Sequence, residues 1–278
     1  MAKTHGILTG KVQVRQAQMV SKGRGISRVV NMLTDKTWTE WLPIYAWVIE
    51  NRNGLTLVDT GETARVHHQG YHPRWHPFYQ RAVHFNVAPE DELGPQLRNL
   101  GIKAADICAV ILMHLHTDHA GGLAHVVRSK SWVHAGELKR AQGFAGRING
   151  YLPHRWPKWW QPESLKFVDR AVGPFEQSAA ISPDEEILVI PTPGHTPAHV
   201  SVLVQGSPSV LLAGDMSYNQ GLLLDDKVDG VSPDEAVSRA TLRRVRELAK
   251  ERPLVYLPSH DPESEERLAA GAILSSAL

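Results

Sequence analysis

A buried-strand pattern that runs directly into a cluster of metal-competent side chains constrains this chain most. Residues Ile107–Leu112 form a continuous apolar run, which is typical of a strand buried on both faces. His114, His116, Asp118 and His119 follow it at once. Alternate side chains of an extended segment share a face, so His114 and His116 can point at one ion. Asp118 and His119 are adjacent and diverge, so at least one of them suits a second ion. This spacing after a buried strand predicts metal binding.

The overall composition limits the class of protein and its partners. The chain has 278 residues, 42% of them hydrophobic, which suits one large α/β domain or two small ones. Lysine and arginine number 30 against 29 aspartates and glutamates, so neither nucleic acid nor an anionic membrane is expected as a partner. The N-terminus leads into no sustained apolar segment, and no run approaches the roughly 20 apolar residues of a membrane span. A soluble cytoplasmic protein is therefore expected.

The single cysteine, Cys108, lies inside the apolar run and is expected to be a small buried hydrophobe. One cysteine cannot form a disulfide within the chain. Thiolate coordination of a metal is not expected either.

Hydrophobic periodicity and turn signals predict alternating strands and helices along the whole length. Asn53-Gly54 between two apolar runs is a strong hairpin signal. Ser232-Pro233-Asp234-Glu235 predicts a capping box that opens a helix reaching about Glu251. The predicted elements are strands at 7–20, 44–50, 55–58, 107–112, 131–134, 186–190, 200–204, 209–214 and 254–257, and helices at 89–101, 123–127, 136–141 and 232–251. This alternation, without repeats or low-complexity linkers, predicts a layered α/β architecture in one domain over residues 1–278.

Two segments, at about 62–88 and 143–164, are rich in aromatic rings but have no clean periodicity. A polar loop does not need so many rings. We interpret the first as an ordered insertion that covers an apolar groove, contacts a second subunit, or both. The second insertion sets tyrosine and tryptophan among prolines. A homodimer is one arrangement that such surfaces would serve.

Asp59 ends the predicted strand 55–58 within an Asp-Thr-Gly sequence. Its carboxylate can orient a ligand histidine from outside the metal site. It can equally be a turn-forming residue that bonds nearby backbone amides. The sequence leaves both interpretations open.

The remaining metal ligands are expected at the ends of other core strands. Each of two ions needs about four or five donors, and the first motif supplies only four in total. Three residues follow later strands: His195 in Thr-Pro-Gly-His-Thr-Pro, Asp215, and His260. These residues complete the number of donors that two ions need. His114, His116 and His195 would bind ion one, and Asp118, His119 and His260 would bind ion two. Asp215, with two oxygens, can bridge both ions, and a shared hydroxide would complete each shell.

This pattern resembles the metallo-β-lactamase superfamily in order and context. The resemblance covers about residues 40–262: Asp-Thr-Gly after a strand, H-x-H-x-D-H-x-G-G, Pro-Gly-His-Thr, an aspartate and a late histidine. It implies an αββα sandwich with a dinuclear metal site, usually zinc, at one edge. Imidazole and carboxylate donors also suit iron, cobalt or manganese.

Within the superfamily, the chain looks like the N-acyl homoserine lactonases, the quorum-quenching enzymes. These place a tyrosine three residues after the bridging aspartate, as Tyr218 follows Asp215 here, and use it on the substrate. β-Lactamases of the superfamily generally lack that aspartate and several use a cysteine ligand, so that branch is disfavoured. One departure is Thr117, where some family members have a larger apolar residue against the substrate. Tyr218 could alternatively be a packing tyrosine at a strand end.

The resemblance implies a hydrolase that opens the lactone ring of N-acyl homoserine lactones by attack of the shared hydroxide. Tyr218 would polarise the lactone carbonyl, and Asp118 could carry the proton to the departing ring oxygen. Rings of the insertions would bury the acyl chain. Two alternatives stay open: a hydrolase of thioesters (glyoxalase II-like), aryl esters or organophosphates with the same site, and a non-catalytic metal-binding protein.

Overall fold

The computed structural model describes residues 2–23, 25–127 and 129–274. The predicted domain range of 1–278 thus includes residues 1, 24, 128 and 275–278, which lie outside the described residues. Within the described ranges twelve strands form two sheets. The strands are β1 (Lys3–Val14), β2 (Leu42–Asn51), β3 (Gly54–Val58), β4 (Val83–Asn86), β5 (Ile107–Ile111), β6 (Lys130–Val133), β7 (Glu163–Ser164), β8 (Ala179–Ala180), β9 (Ile187–Pro191), β10 (Val200–Val204), β11 (Ser209–Gly214) and β12 (Leu254–Pro258).

The helices connect these strands. They are α1 (Gln16–Met19), α2 (Ile26–Thr34), α3 (Pro77–Arg81), α4 (Leu93–Asn99), α5 (Thr117–Ala120), α6 (Ala135–Ala141), α7 (Gly143–Ile148), α8 (Gln220–Leu224), α9 (Glu235–Glu251) and α10 (Ser264–Ala270). Short 3₁₀ helices occupy Ala64–His67, Pro89–Asp91, Ala104–Asp106, Gly121–His125 and Pro153–Arg155. Among the described residues, no helix combines the length and the hydropathy needed to cross a membrane.

The first sheet has seven strands in the order β4-β1-β2-β3-β5-β6-β7, and the second has five in the order β12-β11-β10-β9-β8. In the first sheet β3 and β5 run parallel, with Val58 opposite Ile111. In the second sheet β10 is antiparallel to both β9 and β11, and β12 is parallel to β11. Strands β9, β11 and β12 therefore point the same way, so their carboxyl ends meet at one edge.

The two sheets stack face to face and helices cover their outer faces. In β2, Ala46 and Val48 face the side covered by α4, whereas Tyr45, Trp47 and Ile49 face the second sheet. Successive strand residues point to opposite faces, and both faces are buried here. The outer face of the second sheet packs against α9. This is the predicted αββα sandwich, and the fold prediction is confirmed.

Backbone hydrogen bonds join the sheets at the edge where those strands end. The Val200 amide donates to the Met113 carbonyl, and the Tyr45 amide donates to the Ser259 carbonyl, each at 3.0 Å. The Ser259 amide in turn donates to the Gly214 carbonyl at 3.1 Å. The residues that follow β5, β11 and β12 are thereby fixed relative to one another.

Two boundaries near the N-terminus differ from the sequence prediction. The predicted strand 7–20 ends at Val14, and the residues after it form α1, because the Asp35 carboxylate accepts the Ala17 amide at 2.8 Å and satisfies a free donor of the first turn. The second helix, α2, was not predicted; it has apolar residues on its exposed side, with Ile26 83% exposed.

The predicted capping box at 232–235 is also displaced. Asp234, and not Ser232, caps α9 by accepting the amides of Ala236 and Val237. Ser232 is held outside the helix because its own amide donates to Asp229. The predicted helix at 123–127 is the 3₁₀ helix Gly121–His125, and the predicted helix 89–101 divides into a 3₁₀ turn and α4.

The expectation of a buried cysteine is wrong, since Cys108 is exposed. It occupies the second position of β5, and its side chain lies beside Gly54 of the β2–β3 hairpin, which has no side chain to cover it.

Candidate metal centre

The seven predicted ligands lie together at the edge where the two sheets are joined. Three imidazole nitrogens form the first group: His116 Nδ1 is 3.1 Å from His114 Nε2 and 3.0 Å from His195 Nε2. The second group contains Asp118, His119 and His260, with His260 Nε2 3.4 Å from Asp118 Oδ2. Each group has the types of donor and the spacing that could hold one metal ion.

Asp215 lies between the two groups and turns one oxygen toward each. Oδ2 is 3.4 Å from His195 Nε2 and 3.9 Å from His114 Nε2. Oδ1 is 3.1 Å from His119 Nε2 and 3.4 Å from His260 Nε2. A carboxylate in this position can bridge two cations, one on each oxygen.

Four of the five imidazoles bond an acceptor outside the cluster through the ring nitrogen that faces away from it. His119 Nδ1 lies 2.6 Å from Asp59 Oδ2, and His195 Nδ1 lies 3.0 Å from Asp229 Oδ2. A carboxylate accepts, so the proton sits on Nδ1 in each ring. The inward Nε2 then carries a lone pair, as a metal ligand requires.

Backbone carbonyls do the same for two further rings. His260 Nδ1 donates to the Pro43 carbonyl at 2.8 Å, and His116 Nε2 donates to the Asn149 carbonyl at 3.2 Å. The inward nitrogens of both rings are again available as ligands. Ring nitrogens and carboxylate oxygens that converge in this way need positive charge between them, which a metal ion would supply and which the raised pKa of His260 beside Asp215 also reflects.

Two buried atoms inside the cluster show the same need for a cation. His119 Nε2 and Asp215 Oδ1 make no hydrogen bond within the described residues, although they are fully buried and 3.1 Å apart. Buried polar atoms are almost always paired, so such a pair of atoms calls for a ligand. The donor set of five imidazoles and two carboxylates fits two divalent cations.

The pKa values follow from burial and from neighbouring charges. Burial lowers the pKa of His114 well below its usual value and that of His116 to about 3. Burial also opposes the cationic form of His119, but the carboxylates of Asp215 and Asp59 raise its pKa well above the usual value. Burial would raise the pKa of Asp215, yet the facing imidazoles hold it well below its usual range. The bridging position therefore carries a negative charge inside a buried site.

The interpretation of Asp59 that the sequence left open is decided by these contacts, and a further histidine, His199, supports the site. Asp59 orients a ligand candidate, because Oδ2 bonds His119 while Oδ1 accepts the Met113 amide at 2.8 Å. His199 stands behind Asp215: its Nε2 accepts the Asp215 amide at 3.1 Å. Gly214 has φ +62°, and a Cβ there would lie 2.5 Å from His199 Nε2, so this turn requires glycine.

Glu137 was not singled out in the sequence, yet it links three segments of the site. This fully buried carboxylate accepts the Leu115 amide at 3.2 Å, the Tyr151 hydroxyl at 2.9 Å and the Thr196 hydroxyl at 2.6 Å. Leu115 lies between two ligand candidates, and Thr196 follows a third. Glu137 thus holds the loops after β5 and β9 at a fixed separation.

A cavity of about 330 Å³ opens onto the cluster. The Tyr218 hydroxyl accepts a hydrogen bond from Gln18 Nε2 at 2.8 Å, and its ring stacks on His260. Asp118 and Thr117 also line the cavity. Most of the wall is apolar or aromatic, and its apolar and aromatic members include Val12, Val14, Val29, Met32, Leu33, Trp75, Phe78, Tyr79, Val83, Phe85 and Ile148.

The two aromatic insertions meet over this cavity. The Tyr79 hydroxyl of the first donates to the Gly150 carbonyl of the second at 2.6 Å, and the rings of Trp75 and Phe144 stack 5.4 Å apart. Asn149, the carbonyl partner of His116, belongs to the second insertion. The insertions cover an apolar groove, which is one of the two roles expected of them. Contact with a second subunit stays a prediction.

The sequence interpretation missed Asp229 and Gln18 as well. Asp229 precedes a glycine, which indicates a turn, and its Oδ1 does accept the amides of Val231 and Ser232. Nothing in that local pattern marks the contact with His195. Gln18 fell in a segment predicted as strand, where no signal separates it from an ordinary polar residue.

An αββα sandwich with this cluster at the joined edge of its sheets defines a known class of protein. The model of the metallo-beta-lactamase superfamily matches residues 39–260, and the chain belongs to that superfamily. The resemblance drawn from the motifs is thereby confirmed.

Similar proteins include several N-acyl homoserine lactonases. The chain is 28% identical over 232 residues to an N-acyl homoserine lactonase of Bacillus sp, covering 81% of this chain and 83% of that one. It is also 28% identical over 231 residues to the N-acyl homoserine lactonase AiiB of Agrobacterium fabrum, covering 80% of each.

Solved structures share the fold. An N-acyl homoserine lactone hydrolase with the product N-hexanoyl-L-homoserine bound at its catalytic metal center superposes with a TM-score of 0.74 at 22% identity over 95% of each chain. AidC, a dizinc quorum-quenching lactonase in complex with a product, superposes with a TM-score of 0.64 at 14% identity over 94% of this chain and 88% of that one.

Proposed function

We propose that this protein is a dinuclear metal hydrolase that opens the lactone ring of N-acyl homoserine lactones. The proposal depends on one observation: the cluster of candidate metal donors opens onto the same cavity that Tyr218 and Asp118 line. The relatives named N-acyl homoserine lactonase match about four fifths of the chain. Together these support a lactone as the substrate.

The proposed ligands divide as the two groups do. His114, His116 and His195 hold ion one, Asp118, His119 and His260 hold ion two, and Asp215 bridges them. Zinc is the proposed metal, supported by the borderline-soft imidazole donors and by the dizinc lactonase of the same fold. Elemental analysis of the purified protein tests this, with two zinc per chain as the expected result and iron, cobalt or manganese as the other outcomes.

Two divalent ions in this position would activate water at neutral pH and polarise the lactone carbonyl. The residues of the chain supply the rest. Tyr218 lies in the cavity wall with its ring against His260, and it makes no hydrogen bond besides that with Gln18 within the described residues. Since Gln18 Nε2 donates to the phenol oxygen, the phenol proton remains free to donate to the carbonyl oxygen of the substrate. Burial raises the pKa of Tyr218 well above its usual value, so the proton is retained at neutral pH.

Asp118 is proposed to transfer a proton from the attacking oxygen to the leaving ring oxygen. Its side chain is partly open to the cavity, and its Oδ2 is 3.4 Å from His260 Nε2. A carboxylate there can take a proton from the attacking oxygen and pass it to the ring oxygen that leaves. This transfer keeps the leaving group from departing as an unstabilised alkoxide.

The acyl chain is proposed to lie along the apolar wall beneath the two insertions. Each buried CH₂ contributes about 0.8 kcal/mol to binding. Longer chains should therefore bind better until the groove ends. The exposed ring of Trp75 marks the open side of the cavity.

The alternative substrates fit this cavity less well. A glutathione thioester carries carboxylates that a basic pocket would bind, and Arg140 is the one lysine or arginine among the described lining residues. No contact among the described residues favours an aryl ester or an organophosphate over a lactone. A non-catalytic role is disfavoured because the donor cluster opens onto a cavity whose wall also presents Tyr218 and Asp118.

The cellular setting and assembly complete the proposal. We place the activity in the cytoplasm, as the composition predicts, which cell fractionation would test. A homodimer remains proposed from the exposed apolar residues of α2 and the insertions. Light scattering coupled to size-exclusion chromatography would measure it.

The deciding experiment is a pH-indicator hydrolysis assay on the zinc-loaded protein. The panel would contain N-acyl homoserine lactones of several chain lengths, a glutathione thioester, an aryl ester and an organophosphate triester. Turnover of the lactones well above the other substrates is expected. Preferred hydrolysis of the thioester, or no hydrolysis at all by protein with both ions bound, would contradict the proposal.

A further inference from the structure

Gln18 is a buried side chain of the cavity wall that the proposed reaction does not engage with the substrate. It belongs to α1, outside residues 39–260 matched by the family model, and it is only 5% exposed. The Gly230 amide donates to its backbone carbonyl at 2.7 Å. A Cβ on Gly230 would lie 2.3 Å from the Ala17 carbonyl, so the two backbones are in direct contact. This packing fixes the position of the Gln18 side chain.

The two ends of the Gln18 amide are in different situations. Nε2 donates to the Tyr218 hydroxyl at 2.8 Å. Oε1 is buried and has no hydrogen-bond partner within the described residues. A buried acceptor without a partner is unfavourable, and such atoms usually face a ligand or an ordered water. The free acceptor therefore indicates a donor that arrives with the substrate.

The position of this acceptor matches one group of the proposed substrate. The oxygen and nitrogen of an amide are about 2.2 Å apart, so Oε1 lies within roughly 5 Å of the phenol oxygen of Tyr218. In an N-acyl homoserine lactone the N–H is carried by the carbon next to the lactone carbonyl. The nitrogen is thus outside the ring and two bonds from the carbonyl carbon, so that when the carbonyl oxygen accepts from Tyr218, the N–H can point to Oε1.

We propose that Gln18 Oε1 accepts a hydrogen bond from the acylamide N–H of the substrate and so selects lactones with an amide next to the carbonyl. This inference rests on the proposed function. The carbonyl, Tyr218, Gln18 and the N–H then form one closed set of hydrogen bonds. Gln18 is a specificity residue in this arrangement, and it also keeps the Tyr218 proton directed to the substrate.

The test compares two substrates that differ by one group. They are N-octanoyl-L-homoserine lactone and α-octanoyloxy-γ-butyrolactone, in which an ester oxygen replaces the N–H. Ring opening of each is followed by chromatography of the products, and the ratio of the two kcat/KM values is the readout. Gln18→Met keeps the shape and removes both polar ends. It should lower the amide-to-ester ratio about tenfold relative to the unmodified protein.

Two further variants separate recognition from structure. Gln18→Glu keeps an acceptor but removes the donor, so both kcat/KM values should fall while their ratio stays within about twofold of the original. Gln16→Met makes the same substitution as the test variant on the same helix, away from the cavity, and should leave the ratio unchanged. Thermal unfolding of each variant checks that α1 remains folded.

A binding measurement makes the inference independent of turnover. Calorimetry would compare the binding of N-octanoyl-L-homoserine with that of the ring-opened form of α-octanoyloxy-γ-butyrolactone. Gln18→Met should lower the ratio of the two affinities, amide over ester, about tenfold. An equal loss for both compounds, or an unchanged ratio, would overturn the inference. If the protein opens neither lactone, the proposed function fails, and the binding ratio still decides the role of Gln18.

Discussion

Asp229→Asn changes one atom outside the metal cluster and should weaken binding at ion one. In the structure, Asp229 Oδ2 accepts the Nδ1 proton of His195 at 3.0 Å, while Oδ1 accepts the amides of Val231 and Ser232 at 2.8 and 2.6 Å. Asparagine can keep the two backbone bonds only by turning its NH₂ toward His195. That NH₂ donates, so His195 must accept on Nδ1 and carry its proton on Nε2. The nitrogen proposed to bind ion one is then blocked.

The expected size of the effect follows from such contacts in metal sites. Loss of an oriented partner of a ligand histidine costs about 10–100-fold in metal affinity. This corresponds to about 1.4–2.7 kcal/mol. If the amide turns the other way, its NH₂ faces two backbone N–H donors, and the unpaired groups cost roughly 1–3 kcal/mol of folding stability. Either the metal affinity or the folding stability must therefore fall by a measurable amount.

The assay is a competition titration of the metal-free protein against a chromophoric chelator. The unmodified protein should take up two ions per chain, and Asp229→Asn should bind one of them 10–100-fold more weakly. Asp234→Asn is the matched control: Asp234 likewise accepts two backbone amides, those of Ala236 and Val237, but it is exposed and, within the described part of the chain, bonds no ligand candidate. Two ions bound with unchanged affinity and unchanged thermal stability in Asp229→Asn would refute the reasoning.

Three further outcomes are expected. Asp215→Asn should reduce bound metal below two ions per chain and abolish turnover, because an amide cannot bridge two cations as a charged carboxylate does; full metal content by elemental analysis would count against the bridge. Tyr218→Phe should lower kcat on lactones about 10²-fold with metal content intact, since it removes a donor to the developing negative charge; an unchanged kcat would leave Tyr218 as a packing residue. Tyr79→Phe should raise KM for long-chain lactones, because it removes the bond to Gly150 that joins the two insertions; steady-state kinetics on short and long chains would measure it, and equal changes for both would contradict a role in the groove.

The apolar strands and the ligand candidates were predictable because both follow local rules. A strand buried on both faces requires a continuous apolar run, and β5 and β9–β12 have such runs. Residues that follow parallel strands meet at one edge, so the positions of His195, Asp215 and His260 were expected from the order of elements alone. Some boundaries shifted, as where β1 gives way to α1 at Gln16, and some elements, such as α2, were not predicted.

The exposure of Cys108 shows where local rules stop. An apolar neighbourhood along the chain predicts burial, yet Cys108 is exposed while its neighbours Ile107 and Ala109, on the other face of β5, are buried. The same holds for α2, whose apolar residues are exposed on one side. Burial is a property of the whole assembly of layers, so a single segment cannot determine it.

The sequence alone determined the set of candidate donors, their order and the layered α/β class, since strand period and loop position are properties of a short stretch, and the resemblance of its motifs implied the sandwich. The tertiary structure decided which nitrogen of each imidazole faces the cluster. The partners that fix this are far away along the chain: Pro43 lies 217 residues from His260, and Asp59 lies 60 residues from His119. Two of the four partners, Pro43 and Asn149, contribute backbone carbonyls, which every residue has. No sequence pattern can mark them, and only folding selects which one is within reach.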